Sequence, residues 1–340
     1  MGVFQSWQNW LNRQVRTQAA SNCAVYVSGS SVASAQMVLD TETNTATCRL
    51  RADHIETLAS FGPTLAQQRQ SLGFDKAQPV NLVLAPELYT TSLVAKPDVP
   101  QDEVVEAAKW VIQEQIDYPV DEAVIDTFPV PEAARDSDSI FVVSMPKARL
   151  SALIESAQAS QVSVGSVDVS EMAIRNLCWH SFPMADQSVA LLRLTGNSGL
   201  ITVSRGDELY VARRILGVPE EFNEGALESF KEQLLLQVQR SLDYYESAMG
   251  QPTCDLLMVA CTHNWTSPLT TYLSEVLPTP VRTFADAISG DLVLSMWNPD
   301  RIEVDWEDLS ADQENALVAA LPALGGALRS AISSALMEVA

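Results

Sequence analysis

Val189–Ile215 reads VALLRLTGNSGLITVSRGDELYVARRI, and its rhythm of apolar runs broken by glycine makes it three strands joined by two turns. Val189, Leu191, Leu192 and Leu194 lead into Thr195-Gly196-Asn197-Ser198-Gly199, Leu200–Val203 lead out, and a third strand follows Arg205-Gly206-Asp207. A weaker copy lies near the start of the chain. There Ala24–Ser28 reach Gly29-Ser30-Ser31, Ala33–Leu39 return, and Thr45–Leu50 supply the third strand. Two such meanders, one early in each half, predict a duplicated architecture with a cleft between the halves.

The chain has 340 residues, a length at which single cores usually split, so two domains are expected. Lys plus Arg number 21 and Asp plus Glu 43, for a net charge of −22. That balance argues against a nucleic-acid partner, because a phosphate backbone requires a basic surface. Five cysteines without paired short spacing indicate neither a disulfide framework nor a zinc site. The first twenty residues lack the apolar core of a signal peptide, and Ala316–Leu328 is too short and too broken to span a bilayer. A cytoplasmic, soluble protein is expected.

Residues 1–20 place Val3, Phe4, Trp7, Leu11 and Val15 on one helical face, with Arg13 and Arg16 elsewhere. This segment is expected to pack on the protein, membrane contact being indirect or through it. The first lobe is assigned to 21–180 and the second to 181–340. Within the first, residues 85–165 read as an inserted α+β module. Its helix begins near Asp102, with Val104, Val105, Ala108, Ile112 and Ile116 as the buried stripe, and stops at Tyr118-Pro119. Gly225–Met249 is the longest helix, and the tail from Asp312 is helical but weakened at Pro322 and Gly325-Gly326.

Three stretches carry a resemblance to a known family. EVVEAAKWVIQEQIDYPVDEAVIDTFPV (Glu103–Val130), the following SIFVVSMPKARLSALIESAQASQVSVGSVDVSEMAIRNL, and FKEQLLLQVQRSLDYYES (Phe230–Ser247) closely resemble the type IV pilus assembly protein PilM. Elsewhere the divergence is most similar to the MshI members that serve mannose-sensitive haemagglutinin (MSHA) pili. The resemblance implies an actin-like (RNase H-like) α/β fold of two lobes with a small α+β subdomain in the first. It implies a place on the cytoplasmic face of the inner membrane, where the cytoplasmic N-terminal tail of a PilN-like bitopic protein is bound, with the pilus motor ATPase as a further candidate partner. The tail would lie between the first-lobe core and the inserted module, which points to Val83, Leu84, Val94 and Ile112. Each of these is also a natural core residue.

The family's cleft binds ATP, with an aspartate before each glycine turn to organise hydrated Mg²⁺. Here Val27 and Ser28 precede Gly29, and Leu194 and Thr195 precede Gly196. The family's later glycine pair is replaced by Ala260-Cys261-Thr262-His263. The turn residues Gly29, Ser30, Ser31, Gly196, Asn197 and Ser198 are therefore expected to form a degenerate nucleotide site without ATPase activity, with no metal and no cofactor, ATP and Mg²⁺ being disfavoured. The alternative is an active actin-like ATPase of a pilus or type II secretion complex, which would need Asp40, Asp168 or Asp186 in the cleft. A polymerising subunit is a third reading. His54, His180 and His263 have no acidic or cysteine partner at ligand spacing, Asp136 and Asp138 belong to a solvated loop, and Gly196-Asn197-Ser198-Gly199 lacks a spacer of the nucleophile elbow.

Overall fold

The structure, a computed structural model, describes residues 22–40, 45–74, 78–181, 187–196, 198–219, 223–287, 292–296 and 311–329. The amphipathic segment expected over 1–20 lies outside them. Cys23–Val27 (β1) is five buried residues long; it turns into Ser31–Asp40 (β2) and then Thr45–His54 (β3), antiparallel throughout. Phe61–Leu72 (α1) follows. Gly62 and Pro63 do not interrupt it but form its first turn, where a missing N–H removes no helical bond. Val80–Leu84 (β4), wholly buried, runs parallel to β1.

The inserted module is narrower than 85–165. Thr90–Ala95 (β5), Val104–Ile112 (α2), Ala123–Pro129 (β6) and Ser139–Pro146 (β7) make a three-stranded sheet in the order β5-β7-β6, with α2 on one face. That face holds a small core of its own, including Val94, Val104, Ala108, Ile112, Ile125, Ile140 and Val142. The helix expected to reach Tyr118 stops at Ile112, and residues 113–119 still bring Ile116 onto this core. Because side chains alternate along a strand, Val124, Asp126 and Phe128 point the other way, beside Phe141, Val143 and Met145. The apolar members of that inner face join the main core, and Phe128 stacks on Phe141 at 4.8 Å.

Lys147–Ala159 (α3), read as part of the module, packs on α1 and belongs to the first lobe. Its buried stripe is Leu150, Leu153, Ile154 and Ala157, and Ser160 Oγ donates to the Gly62 carbonyl at 2.7 Å. Val164–Val169 (β8) then lies parallel to β4, and Ser170–Ser181 (α4) crosses toward the second lobe. Ser170 does not cap that helix; its hydroxyl donates to the Leu84 carbonyl at 2.7 Å.

The quoted stretch folds as read: Ser188–Thr195 (β9), Ser198–Arg205 (β10) and Glu208–Ile215 (β11) form an antiparallel meander. Glu224–Asp243 (α5) is capped by Asn223, whose side chain accepts the Ala226 N–H at 2.9 Å. A π-helical turn, Tyr244–Ala248, prolongs it. Leu256–Cys261 (β12), Thr266–Val276 (α6), Val281–Thr283 (β13) and Phe284–Ala287 (α7) complete the sheet β11-β10-β9-β12-β13. Five strands of the first sheet have the matching order β3-β2-β1-β4-β8, so the duplication inferred from two meanders extends to all five strands of the second sheet.

The tail departs from the expected partition. Leu292–Met296 (β14) pairs in parallel with β3, and Ala311–Ala327 (α8) packs on α4, β1, β2 and β3. Both therefore complete the first lobe although they follow the second in sequence. Gly325 and Gly326, read as weak points, permit this closeness. A Cβ at Gly325 would stand 1.8 Å from the Ala173 carbonyl oxygen, and one at Gly326 2.6 Å from Val83 Cγ2.

Candidate functional site

At the first turn every tip amide is taken by the protein itself. The Gly29 N–H donates to Glu87 Oε1 at 3.0 Å, and those of Ser30 and Ser31 donate to Ser28 Oγ at 3.2 and 2.8 Å. Such clustered amides bind anions. Here the anion is a carboxylate from the turn that follows β4, so a phosphate would have to displace Glu87.

At the second turn Gly196 adopts φ 51 with open space around it, while Asn197 lies outside the described residues. Ser198 sits in the strand ladder opposite Thr195. Gly199 serves packing, since a Cβ there would stand 2.7 Å from both Ile215 and Leu194 side chains. After β12, where the resemblance leads one to expect glycines, His263 and Asn264 hold the left-handed backbone at φ 62 and 61, and the His263 N–H is pinned by Asn315 Oδ1 at 2.6 Å. The left-handed turn survives without glycine. Among the described residues no His, Cys, Asp and Glu side chains assemble as a metal site.

Tyr26 and Arg193 sit three residues before the glycines of the two turns, and their side chains meet. The guanidinium lies 5.1 Å from the ring centroid, with Nη1 3.4 Å from the hydroxyl. Its other nitrogens donate to the Val318 and Ala319 carbonyls of α8 at 2.8 and 3.0 Å. Arg193 is only 3% exposed.

A second polar zone lies where the inner face of the module meets the body. Tyr89 donates its hydroxyl to Glu171 at the start of α4, Thr91 Oγ1 donates to the same carboxylate at 3.4 Å, and the Ser170 N–H donates to the Tyr89 oxygen at 3.1 Å. Burial pushes the Glu171 carboxyl up, against the opposing Tyr89 hydrogen bond. From the second lobe Arg214 donates to the carbonyls of Pro86 and Tyr89. The β6–β7 loop makes another tie, Arg135 N–H to the Met249 carbonyl at 2.9 Å. Between these ties a crevice of about 250 Å³ is lined by Thr91, Leu93, Phe141, Tyr210, Arg213 and Tyr244, among others.

Asp168, one of three aspartates that could have rescued metal binding, lies in β8. It is 2% exposed, takes the Val169 N–H at 2.9 Å, and lies 3.6 Å from Arg329 Nη1. The side chains of Asp40 and Asp186 lie outside the described residues.

The four residues proposed to line a peptide groove do not come together as a surface. Val83 and Leu84 are fully buried in the main core, whereas Val94 and Ile112 belong to the separate core of the module. What the sequence reading missed are polar residues set in apolar strands: Arg193 within VALLRLT and Asp126 within AVIDTFPV. A lone charge on a strand predicted to be buried was the available signal.

No protein-family model and no curated protein matches the chain. Solved structures do. A chain of the PilM–PilN type IV pilus biogenesis complex is 16% identical with a TM-score of 0.64, over 92% of this chain and 98% of that one. A Bacteroides thetaiotaomicron protein of actin-like ATPase fold and unknown function is 10% identical (TM-score 0.48, 79% and 92% covered). The cytoplasmic domain of EpsL, an inner-membrane component of the Vibrio cholerae type II secretion system, is 12% identical (TM-score 0.46, 87% and 93% covered). The chain has an actin-like, two-lobed α/β fold, shared with PilM along nearly its whole length.

Proposed function

We propose that this chain is a catalytically silent scaffold of a type IV pilus assembly machine, of the MSHA kind. It holds the cytoplasmic tail of a PilN-type inner-membrane protein at the junction of the inserted module with the body. The observation that carries the silent half of this reading is the Glu87 carboxylate on the Gly29 amide, which puts a fixed negative charge where a nucleotide's phosphates would need donors. The absence of a carboxylate in the two residues before either turn glycine points the same way, because Mg²⁺ needs oxygen ligands or the waters they hold.

The docking half is supported by the end-to-end fold shared with the PilM chain of a PilM–PilN complex and by the stretches quoted above. The site moves from the four apolar residues first chosen to the module's inner face, where buried polar groups and a crevice adjoin. A net charge of −22 suits a tail that leaves the membrane through basic residues, and would speed association at low salt. The motor ATPase remains a further proposed partner.

Calorimetry and fluorescence anisotropy test both halves. A labelled tail peptide from the cognate PilN-type protein should bind saturably and faster at low salt, and Mg-ATP should give neither heat nor steady hydrolysis. A peptide that does not bind overturns the scaffold, and ATP turnover overturns the silence.

A further inference from the structure

Asp126 is a carboxylate in an unusual position. It lies on the inner face of the module sheet in β6, an edge strand, and is 6% exposed. Oδ1 accepts the Thr127 N–H at 2.8 Å, but Oδ2, fully shielded, has no hydrogen-bond partner among the described residues. The charges around it are Asp168 from β8 and Arg329 just beyond α8, with Arg175 of α4 acting on both of those. Arg329 is already set against Asp168, at 3.6 Å.

A buried acceptor without a donor is destabilising, and an asparagine or an apolar residue would fill the same space more cheaply if only packing were at stake. We propose that Asp126 anchors a cationic side chain, guanidinium or ammonium, of the segment that docks between module and first lobe. This rests on the scaffold reading and names the chemistry of its contact. In the unliganded protein burial holds the carboxyl up to about 8, so it is protonated at neutral pH. When the cation arrives the carboxyl gives its proton to solvent, and the carboxylate pairs with the ligand charge through the orphan oxygen. Docking is thus coupled to proton release.

Titration calorimetry of the full chain near neutral pH, in two buffers of different ionisation enthalpy, tests this with the PilN-type tail peptide as probe. Wild type should release up to about one proton per peptide bound. Asp126→Asn, which mimics the protonated carboxyl, should abolish the release and weaken binding by about tenfold or more. A tail with norleucine for its lysines and arginines should lose both on wild type, and Asp126→Asn should weaken that tail no further. The wild-type half of this arm needs no change to the protein: a tail stripped of its cations that bound as tightly and released as many protons as the native tail would overturn the anchor even if the variant folded poorly. Equal affinity and equal proton counts for wild type and variant overturn the anchor and leave the scaffold standing; no binding by wild type overturns both.

Discussion

Arg193 donates into a carbonyl that Pro322 leaves without a helical partner. Proline has no N–H, so inside α8 the carbonyl four residues earlier, Val318, cannot form its usual bond, and Arg193 Nε fills it at 2.8 Å. A residue that reads as a helix breaker thereby creates an acceptor for the second lobe. Arg193→Met should destabilise by about 2–4 kcal/mol, since a charged buried network loses its donor. In a Pro322→Ala background, where the N–H is restored, the same change should be smaller by about 1 kcal/mol or more. Urea unfolding of the four proteins measures this, and an additive cycle would refute the link.

Gly325 is intolerant of any side chain. Its Cβ would overlap the Ala173 carbonyl, so α4 and α8 would have to part. Gly325→Ala should cost about 3 kcal/mol or more, at the upper end for overpacking. Gly225→Ala, near the start of α5 with only Asn223 Oδ1 at 3.5 Å, should be neutral or stabilising by about 0.5 kcal/mol. Paired thermal melts distinguish the two.

Four cysteines should be chemically silent in the folded protein. Cys23, Cys178, Cys254 and Cys261 are buried, and burial raises every one of their thiols, to about 11 for Cys23 and Cys254 and about 12 for Cys178. Thiolate is the reactive form. Iodoacetamide near neutral pH should leave these four unmodified by peptide mapping until denaturant is added; rapid native labelling at any of them would contradict the packing.

Asp126 should also give stability a measurable pH dependence. Its folded value, about 8, stands above the ordinary 3.8 because burial penalises the charge. The folded state therefore binds the proton more tightly, and the stability this gives is complete below about pH 4 and lost as pH rises through about 8. Asp126→Asn removes that slope. Relative to wild type the variant should gain stability between acid and mildly alkaline pH in urea midpoints, whereas a constant offset would show that Asp126 does not titrate there.

The periodic parts of this chain were legible and the cross-chain parts were not. Val189–Ile215 and Leu150–Ala157 declare their elements through spacing and burial that need no partner. Pro322, Gly325 and Gly326 misled because local propensity counts them as breakers, while their roles depend on Arg193 and Ala173, far away in sequence. The occupied first turn could not be read because Glu87 lies 58 residues from Gly29. The placement of the groove residues was hidden for a related reason: aliphatic side chains look the same in sequence whether they fill a core or line a channel, and here Val83 and Leu84 sit in one core and Val94 and Ile112 in another.

The return of β14 and α8 to the first sheet sets an order on biogenesis. The ribosome delivers the second meander, α5 and β12 before the pieces that flank β3 and cover β1 and β2. The lobe begun first is closed last. Until α8 leaves the exit tunnel, a broad apolar sheet stays uncovered, which is the kind of surface that holdase chaperones bind and that prematurely terminated chains aggregate through.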